Sequence, residues 1–300
     1  MIKIAVLGAN GQIGRAIQRE AMSCGGDFDI VVLSRAQCDL TDCQVVRECV
    51  FDLYNRQACR IFINAAAYTA VDKAEEDAAA ALAVNWHGVR ELAQAVAVCG
   101  DASLIHFSTD YVFDGAQNTP YREEDPVNPL NLYGLSKYAG ELAVCAALTR
   151  HLIIRISWVF GPDGSNFLKT MLRLGAEKDM LSIVDDQLGA PTYSGDVARA
   201  VLNVVQRLHN ADFDDWGLYH YTGTGPVSWY DFAQEIFKQY GEVGGKVPKR
   251  ITAVSSAEFP QKALRPKVSF MNMDRIEHIF EISPCDWKAG IEKTLNALKC

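Results

Sequence analysis

Tyr133 and Lys137 stand four residues apart in the stretch Tyr133-Gly134-Leu135-Ser136-Lys137. On a helix, that spacing projects both side chains from one face. An ammonium beside a phenol favours the phenolate, so a tyrosine so placed can exchange a proton with a carbonyl or carbinol oxygen. The spacing alone also describes an ordinary solvated helix face. Two other groups of residues give it chemical context: a glycine-rich run near the N-terminus and a hydroxyl-carboxylate pair, Thr109-Asp110.

Positioning such groups requires regular elements, and the first half of the chain alternates strand and helix signals. Strands are expected at 3–7, 30–33, 60–64, 103–107 and 152–156, with helices at 12–23, 78–98 and 134–149. This alternation predicts an α/β fold, a Rossmann-type doubly wound parallel sheet covered on both faces. Beyond Phe160-Gly161-Pro162 the pattern is less regular, with helices expected at 166–174, 195–208 and 228–239 and strands at 181–184 and 218–221. Residues 1–160 are accordingly read as a dinucleotide-binding domain. Residues 161–300 are read as a smaller, mainly substrate-binding domain with parts returning to the first.

Composition narrows the classes of function. A formal net charge of −8 in 300 residues argues against a nucleic-acid or anionic-membrane binder. No apolar run is long enough to span a membrane. The nine cysteines form no C-x-x-C pair and, with the six scattered histidines, no zinc pattern. Reduced thiols and a cytoplasmic location are the expectation.

Gly8-Ala9-Asn10-Gly11-Gln12-Ile13-Gly14 follows the first strand and opens the first helix. Its glycines allow a tight turn and close approach of the backbone to a pyrophosphate at a helix N-terminus. After the second strand come Ser34-Arg35 and Asp39-Leu40, with no acidic residue ending the strand to hold a ribose 2′-hydroxyl. Ser34 and Arg35 suit a 2′-phosphate, which favours NADPH and leaves NADH open, and Asp39 is expected near the adenine. Ala65, Ala66, Ala67, Tyr68 and Thr69 end the third strand mostly with small side chains, against which a cofactor can lie. Phe107, Thr109 and Asp110 end the fourth, where Thr109 can bond a substrate oxygen and Asp110 can hold sugar hydroxyls.

A glycine loop, a strand-end hydroxyl and a Tyr/Lys helix in this order resemble the extended short-chain dehydrogenase/reductase superfamily. The resemblance implies that Tyr133 is the proton donor. It implies that Lys137 anchors the nicotinamide ribose and lowers the tyrosine pKa, and that Thr109 orients the substrate oxygen. Further strings narrow the family: Asn64 to Glu75, Ser108 to Gly115, Arg155 to Gly161, Asn166-Phe167, Asp186 to Thr192, Gly217 to His220 and Ala263 to Pro266. Together they resemble the dTDP-4-dehydrorhamnose reductase family over essentially the whole chain. That resemblance implies NAD(P)H-dependent reduction of the 4-keto sugar of dTDP-4-dehydro-β-L-rhamnose, with a small-molecule nucleotide sugar as the partner. It sets Trp158 beside the sugar, where an indole can stack on the apolar face of a ring. It also makes Asn166, Gln187 and Arg265 candidates for substrate contact. For Trp158 a core role, and for Arg265 a structural salt bridge, stay open.

Some family members form a metal-bridged dimer through acidic residues that align here with Ala16 and Gly195. Neither binds magnesium, so no structural metal and no metal-bridged dimer are expected, and the chain is read as a monomer or a homodimer. Two other functions remain compatible with the motifs. One is a nucleotide-sugar dehydratase or epimerase, although Tyr111 stands where a 4,6-dehydratase carries glutamate. The other is a non-catalytic dinucleotide-binding subunit of the kind that regulates methionine adenosyltransferase.

Overall fold

The computed structural model describes residues 1–209, 212–259 and 261–299. Six parallel strands form its centre: β1 (Ile2–Leu7), β2 (Phe28–Leu33), β3 (Ile61–Asn64), β4 (Ser103–Thr109), β5 (His151–Ile156) and β6 (Gly217–Tyr221). Their spatial order is β6-β5-β4-β3-β1-β2. Because successive side chains on a strand point to opposite faces, β1 sends Ile4 and Val6 into one core and Ala5 and Leu7 into the other. Both faces are thereby buried, as a parallel sheet requires.

The expected helix over 12–23 is present as Gln12–Ser23, and it packs on a second-half helix, Ser194–Leu208. β6 likewise comes from the second half and pairs in parallel with β5. The remaining sheet pairs are short. Met180–Val184 lies parallel to Arg250–Val254, Val159–Phe160 parallel to Thr192–Tyr193, and Leu188–Gly189 antiparallel to Val227–Ser228.

The helix expected over 78–98 departs from regularity. Ala78–Leu82 and Val89–Val98 are α-helical, but Ala83–Gly88 between them is π-helical. Asn85 accounts for the wider turn, since its side chain is committed outside the helix. It accepts from Tyr68 N at 2.9 Å and donates to Tyr68 O at 2.9 Å and to Ser136 Oγ at 2.9 Å. Such π turns recur where a helix serves a site. The β1 and β3 carboxyl ends flank the point where the strand order reverses, which is where open α/β sheets bind ligands.

Candidate active site

Tyr133 and Lys137 lie in the helix Leu132–Ala147, which starts two residues earlier than the sequence suggests. Asn131 caps it by accepting from Gly134 N at 2.8 Å, and its amide donates to Leu264 O at 2.7 Å. The helix end is also pressed against the turn after β4. A Cβ on Gly134 would lie 2.1 Å from the Tyr111 carbonyl oxygen, so no larger residue fits there. β4 itself runs on to Thr109, and a single 3₁₀ turn, Asp110–Val112, follows. The helix and the strand end therefore bring Thr109, Tyr133 and Lys137 into one cavity of about 630 Å³.

Inside it, Thr109 lies beside the Tyr133 phenol and favours its ionised form. Its hydroxyl also donates to Asp110 Oδ1 at 3.1 Å and accepts from Tyr111 N at 3.2 Å. The Tyr111 ring meets the Tyr133 ring edge-on, with centroids 5.9 Å apart. Lys137 is buried, and its Nζ donates to the Phe107 carbonyl at 2.6 Å and lies 3.4 Å from His106 Nε2.

The electrostatics correct one expectation. Lys137 was expected to depress the Tyr133 phenol, but burial raises that phenol to about 12, with Thr109 easing it and the Asp110 charge adding to it. The Lys137 ammonium is turned toward a backbone carbonyl, and burial brings it down to about 8 while Glu141 supports its charge. Asp110 is buried, and desolvation pushes its carboxyl up to about 7 against the hydrogen bonds of Ser269 and Thr109.

The glycine run fits a dinucleotide. Gly8 has φ +85°, and a Cβ there would lie 2.6 Å from the Ala65 backbone, so β1 and β3 approach only because the residue is glycine. A Cβ on Gly14 would meet Gly8 O at 2.3 Å, which closes the helix onto the loop. A second cleft of about 260 Å³ is lined by Gly8, Asn10, Gly11, Arg35, Asp39, Leu40, Ala65 to Tyr68 and neighbouring residues. It shares Gly11 and Ala65–Ala67 with the larger cavity, which also takes in Gln12, Ile13, Thr69 and Phe107. An elongated cleft of backbone donors, small side chains and one guanidinium suits a dinucleotide with its nicotinamide end near Tyr133. Arg35 is exposed at the far end and donates through Nε to Asp39 Oδ2 at 2.9 Å, while Ser34 bonds Gln37. Asp39 thus holds Arg35 as well as facing the cleft.

Trp158 lines the cavity with a left-handed backbone, φ 44°, a strain that folds retain mainly at functional positions. Its indole is stacked on Trp229 at 3.4 Å and 4°. Trp229 covers one face, and Gly189 lies against the indole around Cε2, where a Cβ would come within 2.4 Å, so only the rest of the ring is left for a ligand. Arg265 lines the cavity and is also paired with Asp72, Nη2 to Oδ2 at 2.6 Å.

Gly14 and Ser34 line neither cleft, and two of the substrate candidates, Asn166 and Gln187, are not among the residues lining the cavity. Asn166 caps the helix Phe167–Glu177, and its amide donates to Gln12 Oε1 and Gly161 O at 2.7 and 2.8 Å. Gln187 is buried and accepts from Trp229 Nε1 at 3.2 Å. Each bonds a neighbour that does line the cavity. Sequence reasoning passed over Tyr111, Phe167 and Trp229 as lining residues. Trp229 follows the Ser228 helix cap, and nothing local to it signals a partner in Trp158.

Ala16 and Gly195 are buried, on the two helices that pack together. Among the described residues, no group of three or more His, Cys, Asp or Glu side chains is placed to hold a metal ion. The eight described cysteines are free thiols, and Cys300 lies outside the described residues. No helix among the described residues is long and apolar enough to cross a membrane.

A doubly wound parallel sheet whose glycine loop opens toward a Thr/Tyr/Lys cluster defines a Rossmann-type oxidoreductase of the extended short-chain dehydrogenase/reductase class. The family described as "RmlD substrate binding domain" matches residues 2–300. A dTDP-4-dehydrorhamnose reductase of Sinorhizobium fredii is 41% identical over 99% of this chain and 98% of its own. That of Aggregatibacter actinomycetemcomitans is 38% identical over 97% and 98%. The crystal structure of a dTDP-4-dehydrorhamnose reductase from Clostridium acetobutylicum superposes with a TM-score of 0.89 at 37% identity, covering 100% of both chains. One from Bacillus anthracis, in complex with NADP, gives 0.87 at 34% identity over 99% of both. The chain belongs to the dTDP-4-dehydrorhamnose reductase family.

Proposed function

We propose that the protein reduces the C4 keto group of dTDP-4-dehydro-β-L-rhamnose to give dTDP-L-rhamnose, using NADPH and accepting NADH. The observation that carries this reading is the convergence of Thr109, Tyr133 and Lys137 on the cavity into which the glycine loop opens. Full-length similarity to reductases of this name supports the substrate. The loop from Gly8 to Gly14, Arg35 and Ala65 to Thr69 would hold the dinucleotide, and NADPH when bound supplies the hydride.

Tyr133 donates its proton to the C4 oxygen. A phenol near 12 is neutral at neutral pH and so arrives carrying the proton it must give. Thr109 orients that oxygen, while Lys137 anchors the nicotinamide ribose. Trp158 offers the uncovered part of its indole to the sugar, Asp110 its carboxyl to sugar hydroxyls, and Arg265 its guanidinium to the diphosphate. A cytoplasmic location belongs to the same reading, since free thiols suit a reducing compartment.

The test is an absorbance assay of NADPH and NADH oxidation with dTDP-4-dehydrorhamnose. Turnover with a preference for NADPH is expected. Tight NADPH binding without turnover would favour a regulatory subunit. A 4-keto product made from dTDP-glucose without added cofactor would favour a dehydratase.

A further inference from the structure

Gln12 is the first residue of the helix that follows the glycine loop, and it lines the cavity. Both ends of its side-chain amide are bonded to the second half of the chain. Nε2 donates to Val159 O at 3.2 Å, and Oε1 accepts from Asn166 Nδ2 at 2.7 Å. The segment between those partners meets the same helix again, two turns on, where Arg19 pairs with Asp163. Asn166 closes that segment on itself by donating to Gly161 O at 2.8 Å. Its flanks are Trp158 and Phe167, which both line the cavity and both pack on the Trp229 ring. We propose that Gln12 is a positioning residue that couples the dinucleotide loop to the sugar wall of the cavity, so that each ligand strengthens binding of the other. This rests on the reading that the loop holds NADPH and that Trp158 lies beside the sugar.

The coupling follows from where the two ends of Gln12 lie. Backbone N–H groups in the first turn of a helix have no partner within it, and a pyrophosphate at that end takes them up. Binding therefore fixes the backbone of Gln12. Its amide donates at one atom and accepts at the other, so turning it over would set N–H against N–H and oxygen against oxygen. One orientation is held, and a fixed backbone then fixes the Val159 carbonyl and Asn166. These flank Trp158 on one side and Phe167 on the other, so the wall they form is set with the loop. A sugar seated on that wall holds the amide in return, and through it the first turn of the helix. Linkage makes the gain equal in the two directions.

The test is calorimetric titration of dTDP-L-rhamnose into the protein alone and into the protein saturated with NADPH. Product and reduced cofactor do not react, so binding is read without turnover. NADPH should tighten the binding about fivefold or more, and dTDP-L-rhamnose should tighten NADPH binding by the same factor. Asn166→Ser keeps a helix cap, because serine caps as well as asparagine, but its side chain is too short to bond Gln12. It should bring the factor below about twofold while leaving the Kd of NADPH alone unchanged. Gln12→Met, similar in size but without an amide, should lower the factor equally, and the double variant should lose no more than either single one. A merely structural role would lower Tm and leave the reciprocal factor in place. Equal affinities with and without NADPH in the wild-type protein, or a wild-type factor in Asn166→Ser, overturns the coupling. Failure of the wild-type protein to bind either ligand alone would instead overturn the proposed function.

Discussion

Lys137 Nζ donates to the Phe107 carbonyl at 2.6 Å, so the Tyr/Lys helix is fastened to β4 two residues before Thr109. The ammonium is thereby held at the junction of the two elements that build the site, and the hydroxyl, phenol and carboxyl around it inherit that register.

Lys137→Met should weaken NADPH binding and slow turnover together. A hydrogen bond to a charged group is worth about 1.5–3 kcal/mol, so roughly ten- to hundredfold in Kd is expected from equilibrium titration. An unchanged Kd would remove Lys137 from the cofactor site.

Tyr133→Phe should preserve NADPH affinity and reduce kcat by about 10²–10⁴-fold. Thr109 keeps its bonds to Asp110 and Tyr111, so stability should change by less than about 0.5 kcal/mol. Parallel losses of Tm and rate would point to a structural role instead.

Trp229→Ala removes the support behind Trp158. An aromatic pair contributes about 0.5–1.5 kcal/mol beyond its burial, so KM for the nucleotide sugar should rise roughly two- to tenfold with KM for NADPH unaltered. Gln187→Leu should act in the same direction more weakly, because it frees the Trp229 indole N–H without deleting the ring. Equal shifts in both KM values would contradict this assignment.

Arg155 and Glu141 form a buried two-pronged ion pair at 2.7 and 2.9 Å. Arg155→Met leaves the carboxylate buried without its partner and should cost about 3–5 kcal/mol in urea unfolding. Adding Glu141→Leu should restore most of it. A single-variant loss below about 1 kcal/mol would show that the carboxylate finds water.

His220 is buried, with Nδ1 3.2 Å from the Asn272 carbonyl and Nε2 3.5 Å from the Arg155 guanidinium. Desolvation and that guanidinium bring its pKa down to about 3. The folded protein keeps it neutral, whereas the unfolded chain takes up a proton below about 6.5. The stability it contributes is present above pH 6.5 and is lost as pH falls toward 3. Relative to His220→Gln, the wild-type protein should lose up to about 1.4 kcal/mol per pH unit across that window. Parallel stability curves for the two proteins would show that His220 is not held neutral.

Much of the fold is legible in the sequence because its signals are local. Ile4 to Leu7 form a short apolar run that ends at a glycine, and Gln12 to Ser23 carry a helical period. Asn131 and Ser228 announce their helices as caps. The site is legible where one residue type at one spacing suffices, as with Tyr133 and Lys137. It is illegible where a role depends on a partner far along the chain. Asn166 and Gln187 carry side chains suited to a substrate, yet Gln12, 154 residues away, and Trp229, 42 residues away, claim them. Nothing within the 78–98 repeat of alanines predicts a π-helical segment, because Asn85 is drawn outward by Tyr68 and Ser136.

The sequence by itself determined the layered parallel fold, the glycine loop for a dinucleotide and the identity of the hydroxyl, phenol and ammonium. These follow from backbone preferences and side-chain chemistry that act over a few residues. Only the tertiary structure decided the protonation landscape: a phenol near 12, an ammonium near 8 and an Asp110 carboxyl near 7. Those values come from desolvation and from partners that packing brings together. Four-residue spacing sets Tyr133 and Lys137 on one helix face, but the fold turns the lysine to a carbonyl and the tyrosine to Thr109.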